Sequence, residues 1–405
     1  MPWLNEPRLS LYPRLLVAIY LAVWCAWVFT GSGLTDRGGA PVGVDFSHYW
    51  LAASLALQGE PGAVYDFPCL RALEQATFGT DVCLPWLYPP TFLLMVLPLA
   101  WLPYLAALAA WLLPALAGYL WVTHRLAPHR LTLWLALAFP GAYLNLIYGQ
   151  NGFLTTALLG GGLVLLKSRP VAAGVLWGLL SFKPHLAILA PVALLAGRRW
   201  RALAALAGSA AALAAASVLI LGPGVWEAFF RSLPVHAGAL GNGKLTLETV
   251  TLPLWFHKMP SVLFAAFMAG AGFRLASALQ LGAMLLATVA VVWSWRREAP
   301  PAIRGTILVL AILLFTPYSA IYDLGLLALP LALLGWEGHT RGWRPGEQPL
   351  LILAFFTPLL SPLLGDFLRI QITPLVLLAL LLLTWRRGAV RLVARPASAG
   401  IRAPS

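Results

Sequence analysis

Few side chains in this chain can do ionic or acid–base chemistry. Of 405 residues, 14 are acidic and 27 are Lys or Arg. Those that stand beside long apolar runs are conspicuous. One group is Gly43-Val44-Asp45-Phe46-Ser47-His48-Tyr49-Trp50; others are Tyr88-Pro89-Pro90, Gln150-Asn151, Lys183-Pro184-His185, Tyr322-Asp323, and Asp366 with Arg369. A positioned carboxylate can take a proton, and a lysine can hold an anion. Ionisable groups at bilayer depth are costly and usually mark function. Each also has a plainer reading. Asp45 could cap a helix starting at Phe46. Lys183 could snorkel to head groups. Gln150 and Asn151 could be turn residues. Asp323 could form a structural pair with Arg369, and Tyr88-Pro89-Pro90 could simply start an interfacial helix.

The elements that must position these residues follow from composition. The chain is 60% hydrophobic, only 10% charged, and has a mean hydropathy of +0.82. A soluble domain could not hide that much apolar surface, and alternating ten-residue segments of a β-barrel are absent. Apolar runs cover 14–30, 104–124, 130–148, 152–167, 201–221, 275–295, 302–318, 322–336, 349–363 and 370–385. These predict an all-α polytopic membrane protein. Residues 90–124 read as one crossing with prolines in it. Residues 170–197 read as a hairpin with Lys183-Pro184 at its tip, since proline disfavours helix in the residue before it. With about twelve crossings and both ends cytoplasmic, 19 of the 27 basic residues fall on the cytoplasmic side.

This topology makes residues 1–387 a single transmembrane domain, with outer loops at 31–89 and 222–273 and a basic, disordered cytoplasmic tail at 388–405. The first outer loop holds six of the 14 acidic residues, and the second holds His236, Lys244, Glu248, His257 and Lys258. The stretch from Phe46 to Leu57 is expected to lie along the interface as a short helix. An oxidising compartment would allow a Cys69–Cys83 disulfide, the alternative being two buried thiols. The histidines are scattered, so no metal cluster is expected. No Walker loop or dinucleotide fingerprint is present, so nucleotide is not the expected donor, no cofactor is called for, and the net charge of +13 reflects cytoplasmic loops rather than nucleic-acid binding.

The Asp45-to-Trp50 run, Gly59 and Val64-Tyr65-Asp66 resemble the start of glycosyltransferase family 87. So do Tyr88-Pro89-Pro90 with Leu97-Pro98-Leu99, Gly149-Gln150-Asn151, and Gly174, Gly178 and Phe182-Lys183-Pro184 closed by Arg198-Arg199-Trp200. The resemblance spans roughly 40–340. It implies a GT-C-type bundle with an outer first loop of short interfacial helices, working in the plasma (inner) membrane with its site facing the periplasm or exterior. It further implies transfer of a hexose, mannose foremost, from a polyprenyl-phosphate donor to a lipid or glycan acceptor, with inversion and without metal. On that reading Asp45 is the base, and Lys183, Arg369 and Lys258 hold the phosphate. His48, Tyr49, Tyr88, Gln150, Asn151, His185, Tyr322 and Asp323 line the substrates. A transporter or lipid-linked-sugar flippase is the competing class, although no internal repeat supports it.

Overall fold

The apolar runs fold as helices, and proline and glycine decide where each one stops. The computed structural model describes residues 6–80, 83–242, 244–246, 251–253 and 258–393. Helix α1 (Glu6–Phe29) leads through a bridged loop at 30–43 to α2 (Val44–Leu57), a 3₁₀ turn (Pro61–Tyr65) and α3 (Phe67–Phe78). Next come α4 (Pro90–Val96), a 3₁₀ turn (Leu97–Trp101) and α5 (Tyr104–Leu126). The Trp50 indole of α2 donates to the Leu102 carbonyl at 3.0 Å. The α4 segment packs on α2 and on the later helix Trp200–Leu221, and within 90–126 only α5 is long and apolar enough to cross a membrane.

The run at 130–148 divides into α6 (Thr132–Ala138) and α7 (Pro140–Tyr148). Pro140 forces Phe139 into an extended conformation, with ψ of 122°. There follow α8 (Gly152–Leu165), α9 (Pro170–Leu179), a 3₁₀ turn (Leu180–Phe182), α10 (Pro184–Ala187), α11 (Leu189–Ala196) and α12 (Trp200–Leu221). The chain continues with α13 (Gly224–Asn242), a β1 (Lys244–Thr246) and β2 (Thr251–Pro253) ladder, α14 (Val262–Met268), α15 (Phe273–Arg296) and α16 (Pro301–Phe315). A 3₁₀ segment (Ile321–Leu327), α17 (Ala328–Arg341), α18 (Glu347–Leu368) and α19 (Thr373–Val393) complete it.

Small residues report the directions of these helices. Gly174 lies against Ala202 and Ala205, and Gly178 against Leu206, Ser209 and Ala210, so α9 and α12 run parallel in close contact. The intervening α10–α11 must return between them, which makes 170–197 the expected hairpin with Lys183 at its turn. Helices α15 and α16 are antiparallel: Gln280 donates to the Leu314 and Phe315 carbonyls, while Arg304 lies 5.2 Å over the Trp295 ring. So are α18 and α19, joined by Ser361–Gln371 at one end and Glu347–Arg387 at the other.

Helix α16 is apolar and buried from Gly305 through Leu314, which makes it the centre of the bundle. In α1 and α12, by contrast, Ile19, Trp27, Leu219 and Ile220 stand exposed. Six helices among the described residues are long and apolar enough to cross a membrane: α1, α5, α12, α15, Ile321–Arg341 and α18. Their exposed apolar flanks belong in lipid, and the chain is a multi-pass membrane protein.

Two expectations change. Helix α2 is no surface helix: Phe46, Ser47, Tyr49, Leu51, Ala52 and Ala53 are all within 1% of full burial, covering every face of its middle turns. Its small and apolar residues suit the interior better than an interface, which needs a polar face. The tail begins later than 388, because α19 continues to Val393; residues 394–405 lie outside the described residues.

Candidate active site

Two left-handed glycines bring the first pieces together. Gly43, at φ 75°, turns the chain into α2, and Gly149, at φ 67°, ends α7. A Cβ on Gly149 would stand 2.6 Å from the Phe46 Cβ and 3.4 Å from the Gly43 Cα, so only glycine lets these turns touch. Tyr104 steadies the same corner by donating to the Val42 carbonyl at 2.7 Å. Asp45 and Gln150 thereby meet, 105 positions apart in sequence.

Asp45 is not a helix cap. It sits in the first turn of α2, Gly43 holds the cap position, and no side chain caps that helix. Its Oδ2 accepts from Gln150 Nε2 at 2.7 Å. The Gln150 Oε1 accepts from the Tyr49 hydroxyl at 2.6 Å, and that hydroxyl lies 2.9 Å from the Tyr88 hydroxyl. Asn151 Nδ2 donates to both tyrosines, at 3.1 and 2.9 Å. Gln150, Asn151 and Tyr49 are buried, whereas Asp45 and Tyr88 keep partial exposure. Burial pushes the Asp45 carboxyl above its ordinary range, opposed first by the Gln150 hydrogen bond and further by nearby His48, Lys258 and Lys183. A partly accessible carboxylate with raised basicity and a fixed orientation can act as a general base.

The second group is ionic. Lys183 Nζ donates to Asp323 Oδ1 at 2.6 Å, with the two side chains 3% and 2% exposed. Asp323 Oδ2 accepts from the Ala320 amide at 3.0 Å, which closes the turn into the 3₁₀ segment. Nζ lies 5.1 Å from the Tyr322 ring centre and 6.0 Å from that of Tyr88. The Tyr88 ring thus links the lysine to the Asp45 network. The structure corrects the Asp323–Arg369 pairing: Lys183 is the partner, and Arg369 is exposed at the C-terminus of α18. Lys183 is likewise no snorkelling anchor, because a paired and buried ammonium cannot reach head groups. Lys258 is half-buried and close enough to act on Asp45, and His185 feels both Lys183 and Asp323.

His48 departs from the expected set. Its ring lies against Glu74, with Nε2 and Oε2 3.4 Å apart. Cys83 joins them, and the three ligand-type atoms lie within 4.8 Å of one another. Both Cys69 and Cys83 are free thiols, so the disulfide does not form. Residues His236, Glu248 and His257 of the second outer loop lie outside the described residues or side chains.

Asn145 escaped the sequence reading. Fully buried, it donates to the Gly141 and Tyr322 carbonyls at 2.8 and 2.9 Å and accepts from the Gly152 amide at 2.8 Å. It ties the 149–152 turn to the Tyr322-Asp323 segment and so fixes the distance between the two groups. A lone polar residue in an apolar run, four before the Gly149 turn, is the signal that could have found it.

Residues 86–317, more than half of the chain, match the profile of glycosyltransferase family 87. No curated protein matches the chain, and no solved structure does.

Proposed function

The chain belongs to glycosyltransferase family 87, a membrane glycosyltransferase, and on that premise we propose that it moves a hexose, mannose foremost, from a polyprenyl-phosphate donor to a lipid or glycan acceptor. The observation that carries this reading is a partly exposed carboxylate, Asp45, joined through Gln150, Tyr49 and Tyr88 to a buried lysine, Lys183, at one end of a helical bundle.

Transfer with inversion needs one base. Asp45 takes the proton from the acceptor hydroxyl as that oxygen attacks the anomeric carbon. The bond from that carbon to the donor phosphate breaks, and the lipid phosphate leaves as an anion. Cations that face the departing charge stabilise it. Lys183 uses one of its three N–H groups on Asp323, which leaves donors for a phosphate, and Lys258 adds positive charge on the Asp45 side. Gln150 and Asn151 hold Asp45 and the tyrosines. Tyr88, Tyr322 and His185 line the partly exposed mouth where sugar hydroxyls would bind. Arg369, exposed in a left-handed cap, serves at most at the rim.

The antiparallel pairs α15–α16 and α18–α19, and the return of α10–α11 between parallel α9 and α12, support a reading of about twelve crossings in a GT-C-type bundle. On this reading its Asp45 end faces the exterior of a plasma membrane, and the positive-inside rule assigns Arg125, Lys167, Arg198, Arg296, Arg341 and Arg387 to the cytoplasmic loops. Family membership sets the transporter reading aside. The test is incubation of purified protein with radiolabelled polyprenyl-phosphate sugars, and in parallel nucleotide sugars, over membrane-lipid acceptors. Labelled product from the lipid-linked donor alone is expected; product from the nucleotide sugar alone would overturn the donor class.

A further inference from the structure

We propose that His48, Glu74 and Cys83 form a three-ligand zinc site, its fourth position taken by water, that clamps the scaffold behind the Asp45 network. Their ligand-type atoms lie within 4.8 Å of one another, and all three residues are buried. Glu74 is 0% exposed, and among the described residues its Oε2 has no hydrogen-bond donor other than the weak Cys83 thiol beside it. A buried carboxylate oxygen left unpaired is costly, and such an oxygen calls for a partner.

The local hydrogen bonding deepens the mismatch. His48 Nε2 accepts from the Leu84 amide at 2.8 Å, so in that arrangement it has no proton to offer Glu74. The nitrogen and Oε2 then face each other lone pair to lone pair at 3.4 Å. A cation between them turns this repulsion into ligation, at the expense of the Leu84 bond. Zinc ligated at 2.0–2.3 Å in tetrahedral geometry sets ligand atoms about 3.3–3.8 Å apart. The His48–Glu74 separation already matches that edge, and Cys83 needs to close by about 1 Å or less. Imidazole, carboxylate and thiolate together suit Zn²⁺ better than Mg²⁺ or Ca²⁺, which prefer oxygen donors. Ser47 provides the outer support that such sites use: its hydroxyl donates to Glu74 Oε1 at 3.0 Å and lies 3.5 Å from His48 Nδ1.

The three ligands come from α2, α3 and the segment that leads to Tyr88. His48 is one helical turn beyond Asp45 and adjacent to Tyr49. A metal there would fix the pieces that carry Asp45, Tyr49 and Tyr88 without touching substrate, so its role is structural.

The full-length protein, purified in detergent and stripped with chelator, is dialysed against Zn²⁺ and its metal content measured by mass spectrometry. About one zinc per chain is expected, with a higher unfolding midpoint than in the stripped protein. Cys69→Ser should keep that stoichiometry, while Cys83→Ser and His48→Gln should lose it. Ser47→Ala should weaken affinity about 10–100-fold, the usual effect of removing an outer partner. Co²⁺ substitution should give a thiolate charge-transfer band that Cys83→Ser abolishes. The wild-type measurements do not depend on any variant folding. No zinc bound by the wild type, or zinc retained unchanged in Cys83→Ser as an adventitious ion only, would overturn the proposal.

Discussion

Removing Lys183 separates its structural work from its chemical work. Lys183→Ala leaves the Asp323 carboxylate at 2% exposure with the Ala320 amide as its remaining partner. Breaking one side of a buried pair costs about 3–5 kcal/mol, because the orphaned charge stays desolvated. An activity loss in that variant alone would therefore not distinguish misfolding from lost phosphate binding. Replacing both members, with Lys183→Met and Asp323→Leu, removes both charges and fills similar volume. Such swaps of buried pairs are near neutral or stabilising, and loss of the Ala320 hydrogen bond subtracts about 1 kcal/mol. The double variant should unfold close to wild type. Its donor affinity should still fall about 10–150-fold, which corresponds to the 1.5–3 kcal/mol of one charge-assisted contact. Lys183→Arg should recover part of it, since the charge remains although the geometry differs. Detergent-solubilised protein, followed by denaturant titration and by equilibrium binding of a polyprenyl-phosphate sugar, gives both numbers. A stable double variant that binds donor and turns over like wild type would refute the phosphate role and leave Lys183 as a structural ion-pair partner.

Asp45→Asn can keep the hydrogen bond from Gln150 but cannot take a proton. Turnover should fall at least about 10²-fold with the fold intact, and near-normal transfer would pass the base role to another carboxylate. Because burial raises the Asp45 pKa, the wild-type rate should rise with pH through a value above the ordinary carboxylate one. The stability contributed by this group runs the other way: it is fully present below the unfolded-state pKa and is lost as pH rises through the folded one. A rate limb at the pKa of a free aspartate, read from a pH–rate profile, would contradict this. Asn145→Ala should cost about 2–4 kcal/mol, since three buried partners lose their bonds, and unchanged denaturant stability would show that the tie is dispensable. In intact cells, a cysteine placed at exposed Gln58, rather than at buried Ser47, should label only from outside and one at Gly342 only after permeabilisation; equal outside labelling would invert the orientation. Alkylation of freshly isolated, unfolded protein without reductant should modify both Cys69 and Cys83, and a linked peptide would argue against free thiols.

Much of the architecture was legible because lipid is an uncompromising solvent. Apolar run length, proline placement and arginine distribution are one-dimensional properties, and they specify helices, breaks and hairpins such as α9–α11 without knowledge of neighbours. The candidate chemistry was legible for the same reason: Asp45 and Lys183 stand out where nearly every neighbour is apolar. Partnership was not. Asp323 has a lysine 140 positions away and an arginine 46 positions away, and only the path of α9–α10 across the 3₁₀ segment at Ile321–Leu327 decides between them. Helix α2 reads as interfacial because Phe46, Tyr49, Trp50 and Ala53 recur at helical spacing, with the polar groups of Ser47, His48 and Tyr49 left for water. Those groups are satisfied internally by Glu74, Leu84 and Gln150, which permits burial on every face. His48 was assigned to the substrate because it stands one helical turn from Asp45, yet the remaining offset of about 60° is enough for His48 to meet Glu74 and Leu84 while Asp45 meets Gln150. The direction in which each side chain points, and therefore which polar groups share a cluster, is a property of packed helices, and the sequence sets it only through contacts among residues far apart along the chain.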